Sequence, residues 1–537
     1  MTRYVGTLLL LGALVGFPGI LSAQSARRIP EEAIAHINAS RARAHVEYLA
    51  SDAMLGRNTP SPELDSAAEY IARTFRSLGV EPAGGSYFHA YNITRDILRA
   101  TSLTVNGREF EAKISFVPHE FTGNGVADGR FVFVGYGISQ PDSGFDEYAG
   151  VDVRGAIVLA VAGEPTFMLA RRGGVRIASI SSSLEKMHVA ERKGAAGFLL
   201  VNNPVLQTSS FPIRPAGHPW PLLYKAFSEE SIPYRVELAT QSRKIPSASI
   251  GGDVAEAIFG SPMAQITSLV RGIDSSGVPA SAELKSRGRF VSELESQRIP
   301  VRNVIGIIRG SSLPDEYVVV GAHYDHVGHA APSGKKPDGE IDSIYNGADD
   351  NASGTAGVLM VAEALASVPR EQRPARSILL LAFSGEEKGL YGSRAYAASP
   401  TLPISTNAAM INMDMIGRNN SDSISVGGTN RSPELESVVL AANAQEPFIL
   451  AYDIEQYFYR SDQASFAQKG VPVLFIHSGE HGDYHKVSDS PDKINYPKLA
   501  HAARFALRLI WMTAELRQRP TYHELKTNDP NSVILER

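Results

Sequence analysis

The sequence predicts an α/β protein in which a domain with a largely parallel sheet carries a second, β-rich module. From about residue 303 to 516, short apolar runs alternate with helical stretches, the pattern of a parallel sheet covered by helices. Between about 117 and 280, the pattern changes to short apolar runs bounded by glycine and proline. The chain has 537 residues, more than one core usually holds, so at least two domains are expected.

The elements can be placed in chain order. Two helices come first, because apolar residues recur at helical spacing from Ala68 to Phe75 and Gly79 ends the second helix. The module contains the predicted strands "GRFVFVGYGI", "GAIVLAVAGEP", "GAAGFLLVNNP" and "PSASIGG" and the helix "SLEKMHVAERKGA". The α/β region contains the strands "NVIGIIRG", "EYVVVGAHYDHVG", "ARSILLLAFSGEE", "AAMINMDMIGR", "SISVGG" and "VPVLFIHSG". Helices such as "GTAGVLMVAEALASV" and "GSRAYAAS" separate them.

The N-terminal segment "MTRYVGTLLLLGALVGFPGILSAQS" has the order of a secretory signal: a positive charge, an apolar run and small residues. A transmembrane anchor is the alternative, but Gly16, Pro18 and Gly19 interrupt the run. We therefore expect cleavage after Ala23 or Ala26 and export to the periplasm or the extracellular space. The predicted segments are 1–23 (signal), 24–116 (first part of the α/β domain), 117–280 (module), 281–518 (remainder of the α/β domain) and 519–537 (tail).

Composition limits the possible functions. The net charge is −5 and charged residues make up 20%, and no basic stripe favours a nucleic acid partner. The absence of cysteine excludes disulfides and a lipid-modified cysteine. No later segment is apolar and long enough to span a membrane, so no membrane partner is expected after signal cleavage.

The segment "NGADDNASG" places two carboxylates, Asp349 and Asp350, side by side. Aspartate, asparagine and glycine all favour turns and helix N-caps, so a simple turn explains this segment. A bound cation is the alternative explanation, because it would remove the repulsion between the two charges. Other polar residues that follow strands decide between the two explanations.

Four further segments place candidate ligands after predicted strands or in loops. Three of them have an ordinary explanation as well: a polar loop for His323 and Asp325, a capping box from Ser384 to Glu387, and solvation for loop histidines. None of these explanations accounts for Glu386 or for an ionised aspartate in an apolar strand at Asp414. The candidates are His323, Asp325, Glu386, Glu387, Asp414, His481 and His485.

Together these residues indicate a metal centre. Ligands bind beyond the carboxyl ends of the strands in α/β sheets, which is where the candidates lie. They offer nitrogen and oxygen without sulfur, which suits zinc in a carboxylate-rich site. Two Zn²⁺ ions would balance Asp349, Glu387, Asp414 and one bridging hydroxide. We therefore expect a dinuclear site in which Asp349 bridges the two ions.

With these residues identified, the chain resembles the dizinc exopeptidases, a family that includes secreted bacterial leucyl-type aminopeptidases and the glutamate carboxypeptidases. The matching segments are "GAHYDHVG", "NGADDNASGTAG", "AFSGEEKGLYGS", "NMDMIGR", "YRSDQASFA" and "DYHKVSDSPDKI", in the family's order. The early "HVEYLASDAMLGR" and "AAEYIARTFRSLG" resemble the start of the same catalytic domain. The module resembles an inserted protease-associated domain through "VFVGYGI", "FDEYAGVDVRGAIVLAVAGEP" and "ERKGAAGFLLVNNP".

The resemblance implies a three-layer, phosphorylase/hydrolase-like catalytic domain that holds two Zn²⁺ per chain. His323 and Asp414 would bind one zinc, Glu387 and His485 would bind the other, and Asp349 would bridge them. Since relatives have a cis peptide after the bridging aspartate, the resemblance also implies one between Asp349 and Asp350.

The resemblance also implies catalytic roles for three more residues. Glu386 would be the general base, Asp325 would support His323, and Tyr484 would steady the oxyanion. The implied function is a secreted aminopeptidase that hydrolyses the N-terminal peptide bond of a peptide or small aminoacyl substrate through a metal-bridging hydroxide.

Other members of the same family remain as alternatives. A carboxypeptidase or dipeptidase would need cations for the substrate carboxylate, and Arg418 and Arg460 lie in suitable segments. A glutaminyl cyclase would use one zinc, and a receptor-like relative would have lost ligands, so the complete ligand set disfavours both. The sequence leaves the oligomeric state open.

Overall fold

The computed structural model describes residues 27–119, 121–141, 144–171, 182–205, 235–236, 245–335 and 341–524. The predicted signal peptide, with both expected cleavage sites, and tail residues 525–537 lie outside the described residues. No helix in the described part of the chain combines the length and apolar character needed to cross a membrane.

The described helices include long ones in the α/β domain and shorter ones in the module. They are α1 Glu31–Ala35, α2 Ala39–Leu49, α3 Pro62–Ser77, α4 Thr166–Arg171, α5 Ser183–Arg192, α6 Gly252–Phe259, α7 Met263–Ser276, α8 Gly354–Ala366, α9 Tyr391–Ala398, α10 Pro433–Asn443, α11 Gln463–Ala467 and α12 Tyr496–Glu515. Two irregular helical segments matter for the site: a 3₁₀ segment at Asp52–Arg57 and a π-helical segment at Ala348–Ser353. Short 3₁₀ turns also occur at Arg370–Gln372, Ile404–Thr406, Thr429–Arg431, Glu455–Tyr457 and Pro491–Lys493.

The strands range from two residues to a single strand of 27 residues. They are β1 Glu81–Pro82, β2 Phe88–Val105, β3 Arg108–Phe110, β4 Phe116–Pro118, β5 Gly125–Phe133, β6 Ser139–Gln140, β7 Phe145–Asp146, β8 Ile157–Val161, β9 Gly197–Val201, β10 Arg235–Val236, β11 Ser247–Ile250, β12 Ala282–Ile308, β13 Leu313–His323, β14 Gly328–Lys335, β15 Ile341–Tyr345, β16 Arg376–Phe383, β17 Asn407–Met413, β18 Ser423–Gly427, β19 Ile449–Ala451 and β20 Val473–His477.

The sheet of the α/β domain has the order β19-β18-β20-β17-β13-β16-β12. The central strands β16, β13, β17 and β20 are parallel. Strand β12 pairs antiparallel with β16, and β18 pairs antiparallel with β20 and parallel with β19. Parallel strands buried on both faces read as continuous apolar runs, as "RSILLLAF" in β16 does. The predicted mostly parallel α/β class is confirmed.

Helices cover both faces of this sheet and complete a three-layer domain. Val318 and Val320 of β13 face one core, which contains residues of α2, α3, α8, α10 and α12. Val319 faces the other core, together with Tyr396 of α9 and Phe466 of α11. Helix α8 is apolar around its circumference and almost wholly buried, which is expected of a helix packed between a sheet and other helices.

The module has its own sheet, in the order β12-β5-β8-β9-β11-β4, with β5, β8, β9 and β11 parallel. Two separate apolar clusters cover the two faces of this sheet, one around Phe131 and Phe133 and the other around Val132 and Phe198. Separate cores are the mark of a separate folding unit.

Strands β2 and β12 form an antiparallel arm that joins the two units. The pairing runs from Phe88 and Val304 at one end to Val105 and Gly288 at the other. The last residues of β12 pair with β16 of the α/β domain, and its first half pairs with β5 of the module. The hydrogen-bonded sheet therefore crosses the predicted boundaries near residues 117 and 280, although the cores on either side are distinct.

Candidate metal centre

The candidate site lies at the carboxyl ends of the parallel strands. His323 is the last residue of β13, Glu386 and Glu387 follow β16, and Asp414 follows β17. The segment Ala348–Ser353 leads into α8, and His485 lies in the loop between β20 and α12. The topology thus brings residues from five separate parts of the chain to one edge of the sheet, as expected for α/β proteins.

One group of donor atoms surrounds the His323 ring. Its Nε2 lies 3.3 Å from Asp350 Oδ1, 3.5 Å from Asp414 Oδ1 and 3.9 Å from Glu386 Oε2. The His323 side chain is 1% exposed, so this group is shielded from solvent. We call His323, Asp350 and Asp414 the first half-site.

A second group of donor atoms surrounds Glu387. His485 Nε2 lies 2.9 Å from Glu387 Oε2 and 3.1 Å from Asp350 Oδ2. His326 Nδ1 lies 2.7 Å from the other oxygen, Glu387 Oε1, and 3.7 Å from Asp350 Oδ2. His326, Asp350, Glu387 and His485 offer donor atoms within 4.8 Å of one another. We call Asp350, Glu387 and His485 the second half-site.

Asp350 stands between the two half-sites, in the place that the sequence analysis gave to Asp349. The Asp349 carboxylate has other partners: its Oδ1 accepts a hydrogen bond of 2.7 Å from the Gly417 N–H, and its Oδ2 lies 3.2 Å from His481 Nε2. A bridging role for Asp349 therefore does not fit this geometry. The prediction of a cis peptide between Asp349 and Asp350 was also wrong by one residue, because the non-proline cis bond joins Asp350 and Asn351.

Several buried groups hold these side chains in place. The Asp325 backbone carbonyl lies 3.2 Å from His323 Nδ1, and the Asp325 carboxylate lies 3.6 Å from it. That carboxylate accepts hydrogen bonds from the Glu386 N–H and the Thr59 hydroxyl, both of 3.1 Å. Ser461 donates a 2.7 Å hydrogen bond to Asp414 Oδ2, which leaves Oδ1 facing the first half-site.

Asp489 and Arg57 support the loop that carries the central carboxylate. Asp489 accepts hydrogen bonds from the backbone N–H groups of Asp349 and Asp350 at 3.0–3.1 Å. Arg57 is completely buried and donates to the carbonyls of Tyr324, Asn346 and Gly347 at 2.8–3.1 Å, and also to that of Leu49. Burial lowers the pKa of Arg57 to about 10, and Asp325 and Asp350 oppose that shift, so the guanidinium remains charged at neutral pH.

The alternative explanation of Glu387 as a helix cap is not observed. Helix α9 begins four residues later, at Tyr391, and the Glu387 side chain contacts His326 and His485. Glu386 points toward the first half-site from a buried position, where burial raises the pKa of its carboxyl well above the ordinary value, further raised by Glu387 and Asp414 and opposed by His323. Perturbed pKa values of this kind are frequent at functional sites.

The donor set fits divalent metal ions. Although burial opposes it, Asp350 and Glu387 raise the pKa of the His485 imidazole to about 10, so these carboxylates bind a positive charge strongly. Among the described residues, Asp414 Oδ1 is buried in the first half-site without a hydrogen-bond partner. Imidazole nitrogens and carboxylate oxygens at these separations match the ligand chemistry of zinc.

A cavity opens beside the first half-site. Its lining includes the acidic Glu386, Asp414 and Glu480 and the aromatic Tyr457 and Tyr484. The Tyr484 ring stacks on the His485 ring at a centroid distance of 4.0 Å.

Both arginines that could hold a substrate carboxylate are already paired. Arg460 lies at the cavity, where its guanidinium is 3.3 Å from Glu480. Arg418 donates to Asp483 at 2.8 Å. The cavity therefore presents mainly negative charge.

The structure thus brings together His323, Glu386, Glu387, Asp414 and His485, with Asp325 and Tyr484 beside them. Sequence reasoning missed Asp350, His326, Arg57, Thr59 and Asp489. Asp350 and His326 were visible in "NGADDNASG" and "GAHYDHVG", but the neighbouring residue was chosen in the first case and no role was assigned in the second.

Two family models match parts of this chain. Residues 303–510 match the model described as Peptidase family M28, and residues 122–258 match that of the PA domain. A probable glutamate carboxypeptidase AMP1 from Arabidopsis thaliana is 27% identical over 463 residues, which cover 80% of this chain and 61% of the relative. A probable zinc metalloprotease from Leptosphaeria maculans is 27% identical over 290 residues, which cover 44% of this chain and 64% of the relative. A probable leucine aminopeptidase from Trichophyton verrucosum is 30% identical over 224 residues, which cover 39% of this chain and 58% of the relative.

The chain spans between 58% and 64% of the length of these three relatives. Among solved structures, an aminopeptidase from Aneurinibacillus sp. strain AM-1 matches with a TM-score of 0.48 and 18% identity, covering 92% of this chain and 97% of that one.

The α/β fold, the donor set and the family match together define the class of protein as one with a metallopeptidase region. Zinc is the metal that the relatives support. More particularly, residues 303–510 match peptidase family M28, and residues 122–258, which precede them, match the PA domain. The predicted resemblance to a metallopeptidase family with an inserted protease-associated domain is confirmed.

Proposed function

We propose that the protein is an exported zinc aminopeptidase with two zinc ions per chain. One observation carries this proposal: the Asp350 carboxylate directs Oδ1 to His323 at 3.3 Å and Oδ2 to His485 at 3.1 Å. A single carboxylate shared by two histidine–carboxylate groups is the arrangement that a bridged pair of ions requires.

The ligand assignment follows from the two half-sites. His323 and Asp414 would bind one zinc, Glu387 and His485 would bind the other, and Asp350 would bridge them. Bound in this way, the pair would polarise the scissile carbonyl and lower the pKa of the attacking water.

Residues of the chain supply the proton transfers and the orientation. Glu386 is not needed as a ligand and lies 3.9 Å from His323, so it is placed to take a proton from the attacking water and to return it to the leaving amine. Asp325 fixes both the His323 ring and the Glu386 backbone. Tyr484 lines the cavity, where its hydroxyl would donate to the developing oxyanion.

The cavity favours an amino terminus over a carboxyl terminus. Glu386 and Asp414, which line the cavity, would attract the positive charge of a free α-amine. A carboxypeptidase would need an available cation, whereas Arg460 is paired with Glu480 and Arg418 with Asp483. We therefore place aminopeptidase ahead of carboxypeptidase or dipeptidase.

Export is part of the proposal and depends on residues 1–26, which lie outside the described part of the chain. N-terminal sequencing of the protein from the producing cells tests it directly. A new N-terminus after Ala23 or Ala26 is expected, and an intact Met1 would contradict export by this signal.

The enzymatic proposal is tested with protein purified in the absence of chelator. We expect about two equivalents of zinc and hydrolysis of aminoacyl and dipeptide substrates with a free α-amine, but not of their N-acetylated forms. Peptidase activity in protein with a metal content near zero would contradict the zinc mechanism. Hydrolysis of N-acetylated substrates that carry a free carboxylate would instead identify a carboxypeptidase.

A further inference from the structure

His326 is the buried histidine beside the second half-site that the proposed ligand set does not use. It lies three residues after the end of β13, and its side chain is fully buried. Its backbone N–H donates to the Arg57 backbone carbonyl at 3.3 Å. Gly347, with a φ of +58°, passes directly against the His326 ring, where a β-carbon would overlap the ring atoms. Backbone contacts and packing therefore hold the ring in one position.

The contact between His326 and Glu387 has the geometry of a hydrogen bond. The Nδ1–Oε1 distance is 2.7 Å, within the range of a charge-assisted N–H···O⁻ bond. Two ligands of one tetrahedral zinc, each about 2.0–2.1 Å from the ion, would lie roughly 3.3 Å apart. The separations between His323 and its carboxylate partners, 3.3 and 3.5 Å, fit that spacing. His485 Nε2 lies 2.9 Å from Glu387 Oε2, and the contact of His326 with Glu387 is shorter still and involves the other oxygen, Oε1.

The two carboxylate oxygens of Glu387 therefore contact different groups. Oε1 accepts from His326, and Oε2 lies 2.9 Å from His485 Nε2 in the second half-site. Resting on the proposed function, we infer that His326 is a positioning residue: its Nδ1–H holds Glu387 Oε1, so that Glu387 presents only Oε2 to the second zinc.

Hydrogen-bond partners of metal ligands typically contribute 10–100-fold to metal affinity. In His326→Ala, we expect the weaker of the two zinc dissociation constants to rise by about that factor. In His326→Asn the amide nitrogen replaces Nδ1 as a donor, so most of the affinity should return. The stepwise affinities are measured by competition with a chromophoric chelator, which does not depend on catalysis.

A matched control is available toward the C-terminal end of α8. There His45 Nε2 faces Glu363 Oε1 at 3.3 Å, in another buried histidine–carboxylate pair. His45→Asn should lower the melting temperature and leave both zinc affinities unchanged. The cobalt-substituted protein adds a second measurement, because its visible absorption reports the ligands of the ion, and His326→Asn should preserve that spectrum.

The outcomes separate this inference from the proposed function. Wild-type protein that binds no zinc would overturn both. Wild-type protein with two zinc ions and a His326→Ala variant of equal affinity would overturn the inference alone. A His326→Asn variant with weak binding and a changed cobalt spectrum would show that the ring nitrogen is a ligand, and would also overturn it.

Discussion

Glu386 and Glu387 are adjacent in the chain, yet their side chains contact different groups. Glu387 contacts His326 and His485, whereas Glu386 faces the first half-site and the cavity. The two residues should therefore respond differently to the same substitution.

Glu386→Gln removes a proton acceptor and keeps the side-chain volume. We expect kcat to fall by roughly 10²–10⁴-fold, the usual contribution of general-base catalysis, with both zinc ions retained. Glu387→Gln should instead reduce the zinc content toward one equivalent. Steady-state kinetics and metal analysis of both variants test this, and an active Glu386→Gln enzyme would remove the assignment of the base.

A second pair, Asp349 and Asp350, tests the corrected bridge. Asp350→Asn should weaken zinc binding and abolish activity, because both oxygens of Asp350 face histidines of the half-sites. Asp349→Asn should leave the zinc content near that of the wild type, because its carboxylate contacts Gly417 and His481 instead. Asp349→Asn weakens the buried hydrogen bond from the Gly417 N–H, so we expect the free energy of unfolding to fall by about 1–3 kcal/mol. Loss of zinc from Asp349→Asn with zinc retained in Asp350→Asn would reverse the assignment.

At this scale the sequence indicates residue types and not the directions of side chains. Two adjacent aspartates after a glycine are equivalent in a one-dimensional pattern. The local backbone decides between them, since Asp350 lies at a kink within the helical segment Ala348–Ser353. His323 and Asp414 were predictable because each ends or follows an apolar strand, where a polar residue requires a partner.

At the scale of elements, the short 3₁₀ segment Asp52–Arg57 supports the site from far away in sequence. Arg57 connects the residues after β13 to the loop before α8 through the carbonyls of Tyr324, Asn346 and Gly347. Thr59, two residues later, holds Asp325. The segment therefore fixes the relative position of the two loops that carry His326 and Asp350.

Arg57→Lys keeps the charge but loses the planar set of donors. We expect zinc affinity and kcat to fall by at least tenfold, together with a loss of stability. Arg376→Lys is the matched control, because Arg376 is equally buried and donates to the Leu516 carbonyl at the opposite end of β16. It should lose stability and keep its zinc affinity. Equal zinc affinity in the two variants would contradict the support given by Arg57.

The predicted strands and helices of the α/β domain correspond to β12, β13, β16–β18, β20, α8 and α9, because buried strands and helices leave strong apolar patterns. The contribution of Arg57 left no such signal. A buried arginine that binds carbonyls depends on the path of the backbone 267–290 residues away, which no local pattern records.

At the scale of the whole molecule, the site concentrates negative charge within the protein. Asp325, Asp349, Asp350 and Asp489 are all almost completely buried. Buried cations beside them are Arg57, which interacts with three of these carboxylates, and Lys498, which interacts with Asp349. Bound zinc would neutralise the remaining charge, so folding and metal binding should be coupled.

Removal of zinc should therefore lower the melting temperature. At a free zinc concentration of 1,000 times the dissociation constant, binding to the folded state alone stabilises by about 4 kcal/mol. Calorimetry before and after dialysis against a chelator, and again after zinc is restored, measures the effect. An unchanged melting temperature in protein shown to be free of zinc would contradict the coupling.

The division into two units was visible in the sequence, but the arm was not. Strand β2 alternates weakly between buried and exposed residues, and its partner in β12 lies 190 residues further on at the Thr101–Val291 contact. The predicted boundaries near residues 117 and 280 follow the change in apolar pattern and lie between the paired strands β2 and β12, on the side of the module.

The arm has a consequence for how such a chain can be rearranged. The backbone leaves the α/β domain and returns to it through strands that lie side by side, with Leu98 directly opposite Leu294. A two-residue hairpin turn can join residues that face each other in this way. One deletion and one short turn would thus remove the module while the strand pairing from Phe88 onward is kept, and the reverse event would add it. Recombination at this single place would suffice to exchange the module between otherwise similar genes.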